Sequence, residues 1–104
     1  MSQPFPLKVG DTKREIARKF SMGGRLVPGA DLQSVVMRIH VNGTTLERGM
    51  TRDGDFWVYK FVGADFVAVP AGEYDVDFRL TWTDGGDATD PSSGRYKLVV
   101  ESLV

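Results

Sequence analysis

The stretch Gly72-Glu73-Tyr74-Asp75-Val76-Asp77-Phe78-Arg79-Leu80-Thr81-Trp82 decides the fold class. Tyr74, Val76, Phe78, Leu80 and Trp82 are large and apolar, and the residues between them are polar. A strand turns successive side chains to opposite faces, so this pattern predicts one buried and one wet face. Period two sustained over this length excludes a helix. An antiparallel sheet solvated on one side is the usual home of such a strand.

Working outward, Ser34 to Val41 repeats the pattern, with Val35, Met37, Ile39 and Val41 on one face and Val36, Arg38 and His40 on the other. Asn42-Gly43 follows as a two-residue hairpin turn, since both positions accept positive φ, and Thr44 to Arg48 returns. Asp53-Gly54 marks another turn before Phe56 to Val62, where Trp57, Tyr59 and Phe61 share a face. Ala64-Asp65-Phe66 reads as a short helical turn or crossover. Towards the N-terminus, Leu7 to Val9 is an edge strand guarded by Pro4 and Pro6. Thr12 to Phe20 fits either period and is taken as a strand. Ser21 to Asp31, with Gly23-Gly24 and Pro28-Gly29, is expected to be a loop, as is Asp84 to Gly94. Arg95 to Leu103 is the last strand. The sum is an all-β, immunoglobulin-like antiparallel sandwich of about seven short strands. Residues 1–6 form an N-terminal arm and 7–104 a single domain.

Composition narrows the function. The 104 residues include 13 Lys and Arg against 14 Asp and Glu, a net charge of −1, which makes no electrostatic case for nucleic acid or an anionic membrane. With no cysteine, thiolate zinc sites, disulfides and cysteine nucleophiles are excluded. The opening Met1 to Pro6 lacks the basic start and apolar run of a signal peptide, so synthesis in the cytosol is expected.

No catalytic kit stands out. His40, the sole histidine, sits mid-strand and reads as a polar-face residue. No serine lies in a Gly-x-Ser-x-Gly turn. Asp84, Asp87 and Asp90 are three apart, unlike the closely spaced ligands of a calcium loop; a solvated loop is the expectation and calcium the alternative. Lys13, Arg14, Arg18, Lys19 and Arg25 make a basic segment, expected to be a solvated strand face, with a contact surface for an acidic partner as the alternative. Neither glycine pair belongs to a phosphate-binding fingerprint. The aromatic residues lie in the apolar phase of their strands, which favours core packing over a carbohydrate platform. Tyr74, just after a turn and near the start of a long strand, fits the tyrosine corner of immunoglobulin-like sandwiches.

Several segments taken together resemble the N-terminal domain family of the phage baseplate upper protein. They are Leu7 to Thr12, Ala30-Asp31-Leu32 before Val35 to Arg38, Pro70 to Tyr74 with Phe78, Thr83-Asp84-Gly85 followed by Asp90-Pro91, and Tyr96 to Val100. The resemblance runs from about Leu7 to Leu103. It implies an immunoglobulin-like module of a tailed-phage virion, without catalytic residues, cofactor or metal, that packs into rings or attaches other parts. Baseplate upper proteins typically continue into a coiled segment. A chain ending at Val104 is instead expected to be a free-standing module, which leaves capsid decoration and head–tail or tail attachment open.

The expectation is therefore a non-enzymatic virion structural protein whose partners are other virion proteins and further copies of itself. The virion is its expected location. Phe5, Arg14, Arg18 and Arg38 are the candidate interface residues, Phe5 as an arm anchor and the arginines as charged contacts. A surface receptor- or carbohydrate-binding module is the alternative.

Overall fold

The computed structural model describes residues 7–10, 14–22, 24–91 and 94–101. Within them the chain forms β1 (Leu7–Val9), β2 (Glu15–Arg18), β3 (Phe20–Met22), β4 (Arg25–Val27), a 3-10 turn at Gly29–Asp31, β5 (Leu32–Val41), β6 (Thr44–Gly49), β7 (Thr51–Asp53), β8 (Phe56–Lys60), a helix α1 (Gly63–Ala68), β9 (Gly72–Trp82), β10 (Asp87–Asp90) and β11 (Tyr96–Val100).

These strands build two main layers. The larger sheet runs β1-β11-β9-β5-β6, with β10 continuing the β11 edge of β9. The smaller sheet runs β2-β8-β7, and β3 and β4 form a separate ribbon. Labelled as in an immunoglobulin domain, the first sheet contains strands G, F, C and C′ and the second contains B, E and D. The main-sheet neighbours are antiparallel except β1, which joins β11 in parallel, Leu7 beside Leu98 and Val9 beside Val100. The fold is thus an all-β sandwich with immunoglobulin-like strand order.

The alternation of β5 and β9 makes the core. Val35, Met37 and Ile39 of β5 and Val76, Phe78 and Leu80 of β9 are at most 1 % exposed. They face Ile16 of β2 and Trp57 of β8, both buried, from the other layer. Phe20 closes on Phe78 edge-to-face with centroids 5.4 Å apart. Each such side chain contributes roughly 1.5–3 kcal/mol on leaving water.

The turn chemistry of the sequence is realised at Asn42-Gly43, whose φ angles of 50° and 80° match the two positive values that a type I′ hairpin needs. α1 covers Ala64-Asp65-Phe66, and Val69 closes it by donating to the Asp65 carbonyl at 2.8 Å. The Tyr74 hydroxyl donates to the Pro70 carbonyl at 2.5 Å, the back-bond of a tyrosine corner at the start of β9.

Four expectations change. Ser21 to Asp31 is not simply a loop: Phe20–Met22 and Arg25–Val27 pair around Gly24 at φ 81°. Asp84 to Gly94 holds β10, which pairs with β9 from Thr81 to Phe78. Both pieces are too short to show a period; the ribbon is anchored by the buried Phe20 and Val27, and β10 by its pairing with β9 and the contacts of Asp87 and Asp90. The strand read over Thr12 to Phe20 breaks at Lys19, and the final strand covers Tyr96–Val100. The residues of the 1–6 arm, Phe5 included, lie outside the described residues.

Candidate functional site

The sandwich has two outer faces, and their charges are arranged differently. On the larger sheet the polar phase of β9 points outward, flanked in register by His40 and Lys97 beside Asp75 and by Arg38 beside Asp77. Asp77 is only 4 % exposed although it lies on the wet face. It is covered by its neighbours: Arg38 Nε donates at 2.6 Å, His40 Nε2 lies 3.2 Å away and Arg95 Nε 3.8 Å away. The other His40 nitrogen meets the Thr45 hydroxyl at 3.1 Å. Lys97 pairs with Asp75 at 3.1 Å and Arg79 with Asp87 at 3.0 Å. These contacts hold Asp75, Asp77 and Arg79 of β9 to adjacent strands, and the more exposed pairs add little stability each.

Between the layers two further ionic groups act as ties. Asp65 accepts from Tyr59 at 2.7 Å, Arg48 Nε at 2.8 Å and the Val62 amide at 2.9 Å, joining the edge strand β6 to β8 and to the start of α1. Burial pushes the Tyr59 hydroxyl up to about 12, helped by the Asp65 carboxylate. Burial works to raise Asp65 as well, but donation from Tyr59, Val62 and Arg48 outweighs it and leaves that carboxyl below its ordinary value. The second tie is Arg18. It shares the inward phase of Ile16, and its guanidinium sits 4.4 Å from the Tyr96 ring centroid and 4.9 Å from that of Phe78. Asp90 lies 3.6 Å from it and accepts from the Tyr96 hydroxyl at 2.8 Å.

The candidate interface residues are therefore dispersed. Arg18 is turned into the fold, where its charge meets rings and Asp90, so it is not part of a solvated strand face. Arg38 lies on the outer face of the larger sheet but is bound to Asp77. Arg14 is exposed and lies over the Phe66 ring at 5.6 Å. Asp84, Asp87 and Asp90 are not gathered either. Asp84 caps the Gly86 amide at 3.0 Å, Asp87 takes Arg79, and Asp90 takes Tyr96. Among the described residues, no group of three or more His, Asp or Glu side chains is placed to hold a metal ion.

The outer face of the smaller sheet is the contrast. Register sets Glu15 beside Lys60, Ala17 beside Val58 and Val58 beside Thr51, and Phe56 beside Asp53. No hydrogen bond or ion pair ties the side chains of Glu15, Asp53 or Lys60 to a described residue. Phe56 is 42 % exposed, with Lys19 Nζ 4.8 Å from its ring centroid. A shallow open groove of about 470 Å³ runs along this face, walled by Glu15, Thr51, Asp53, Val58 and Lys60, with Asp53 the neighbour of Phe56. This face is absent from the sequence-derived candidates. Its signal was present: Phe56, Val58 and Lys60 lie out of phase with Trp57, Tyr59 and Phe61, which places an aromatic ring on the solvent side.

No protein-family model matches the chain, and no curated protein matches it.

Proposed function

We propose that this chain is a non-enzymatic interaction module that takes its place in a tailed-phage virion, in the tail or baseplate or as a decoration on the head. The resemblance of its segments to the baseplate upper protein N-terminal domain family supplies the virion setting. The observation that carries the interaction reading is the exposed ring of the smaller sheet set among unpaired charges. Among the described residues, Asp75, Asp77 and Arg79 on the larger sheet are paired with neighbours and only side charges such as Glu47 and Glu73 are not, while the smaller sheet presents unpaired carboxylates, an unpaired ammonium group and an exposed phenyl ring. Free charge around an apolar centre is the make-up of a docking patch, where a few buried anchors supply most of the energy. Repetition on a symmetric particle would sum many weak contacts of this kind.

The test is mass spectrometry on purified virions separated into heads and tails. The chain enriched in one fraction at a fixed stoichiometry supports the reading. Its absence from both overturns it.

A second reading draws on Phe56 beside the groove, since a solvent-facing ring is what a carbohydrate-binding module needs. A glycan array on the purified protein separates the two, because only this reading expects selective binding that Phe56→Ser removes.

A further inference from the structure

We infer that the outer face of the smaller sheet is a self-complementary docking surface, and that its occupant is a second copy of this chain related by a two-fold axis. The inference extends the assembly reading by naming the surface. It rests on that reading only for the repetition that makes a small contact useful.

The argument is geometric. A two-fold interface must be complementary to itself, each group meeting its counterpart's partner twice. The centre of this face is the row Ala17–Val58–Thr51, set by the pairing of β2, β8 and β7. Lys19 and Phe56 stand on one side of that row and Glu15 and Lys60 on the other. Place the axis in the interface over the central row and across the strands. Packing the sheets face to face then reverses strand direction while keeping like strands opposite. Glu15 falls opposite Lys19 of the partner subunit, an acid against a base, and the pair occurs twice. Phe56 falls opposite Lys60 of the partner subunit, one wall of the groove that runs along the face. Gly49 lines the groove, and the space where its side chain would stand is open. Each ring would gain cation–π contact with the opposing ammonium group in exchange for the Lys19 contact it has alone.

The same operation over the Arg38–Asp77 row of the larger sheet also sets an acid opposite a base, Asp75 against Arg79 of the partner subunit, but both are already bound within the chain, Asp75 to Lys97 and Arg79 to Asp87.

The patch spans three short strands, well below the ~1,000 Å² expected of a stable complex, so dimers should form at protein concentrations on the order of 100 µM. Sedimentation equilibrium from roughly 10 µM to 1 mM covers that range. The wild-type chain is expected to pass from monomer to dimer. Glu15→Lys and Phe56→Ser should each weaken the dimer by about tenfold or more, within the range of charge and anchor substitutions at interfaces. The double reversal Glu15→Lys with Lys19→Glu should regain most of the wild-type association, because the opposed pair is restored with its signs exchanged. The substituted positions are exposed, and unchanged thermal melting checks that each variant folds. A wild-type chain that stays monomeric overturns the inference. So does a dimer that ignores both single substitutions, and so does a double reversal that recovers nothing.

The two readings fail separately. A chain that dimerises with this substitution pattern but loads on neither heads nor tails supports the interface and overturns the virion reading. A chain that loads but remains monomeric overturns the interface alone.

Discussion

The Tyr59 hydroxyl donates to the Asp65 carboxylate at 2.7 Å, and through that bond β8 is tied to the helix that leads into β9. Asp65 also holds Arg48 of the opposite layer. One side chain therefore serves β6, β8 and α1 together. Replacing Asp65 with Ala leaves three donors without their acceptor and Arg48 without its counter-charge. The expected cost is about 3 kcal/mol, from the loss of charge-assisted hydrogen bonds around a buried group. Asp65→Asn, which keeps the shape and one acceptor, should cost less. Urea denaturation of both variants measures the difference.

The same group sets a pH dependence. The Tyr59 hydroxyl is raised from its ordinary 10 to about 12 in the folded chain. A folded value above the unfolded one means that its contribution is complete below pH 10 and is lost as pH rises from 10 towards 12. The Asp65 carboxyl is lowered from its ordinary value of 3.8, so its contribution holds above that value and is lost as pH falls below it. Stability should be flat between these limits as far as this pair decides it. In Tyr59→Phe the alkaline loss should be shallower but not absent, because burial and the Asp90 carboxylate also raise Tyr96. Denaturation midpoints across the pH range check both arms.

Arg18 gives a prediction that separates packing from charge. Its guanidinium is stacked among Tyr96, Phe78 and Phe20, and its buried Nε has no hydrogen-bond partner among the described residues. An arginine valued for its ion pair would be lost equally in any neutral variant. Here Arg18→Met should cost under ~1.5 kcal/mol, because it fills similar space and removes an unpaired donor. Arg18→Ala should cost clearly more, because it empties the space between the rings. Equal losses in thermal melts would show that the Asp90 pair dominates.

Gly29 is fixed by close approach rather than by φ. A Cβ there would collide with the Gly54 carbonyl oxygen and stand 3.0 Å from the Asp55 Cα. The Gly29 amide also donates to the Asp55 carboxylate at 3.1 Å, pinning the start of β5 to the β7–β8 turn. Gly29→Ala should cost about 1–3 kcal/mol, as overpacking against backbone does. Gly43→Ala meets no neighbour, and any cost there comes from its positive φ alone.

The long strands were legible because their pattern is local. Leu80 and Val76 are buried and Arg79 is exposed, as alternation requires, and Asn42-Gly43 announces its turn by residue type. Asp77 shows where local pattern ends. It holds a polar-phase position and is nonetheless buried, because Arg38 and His40, 39 and 37 residues away in sequence, close over it. Arg18 shows the converse: a charge in a basic segment reads as solvated until the rings of β9 and β11 are brought beside it. The β3–β4 ribbon and β10 were lost for a third reason, since three or four residues are too few to display a period. The smaller sheet's outer face was half visible, because phase exposes Phe56, but only the folded register sets Asp53 and Lys19 beside it and Glu15 beside Lys60 on the same face.

The most direct test of the account is mass photometry of the purified chain mixed with virion heads, and separately with tails, both stripped of this protein. The account predicts added mass on one particle class, saturating at a symmetric number of copies, and reduced loading by Phe56→Ser. A chain that adds mass to neither particle would contradict its role as a virion module.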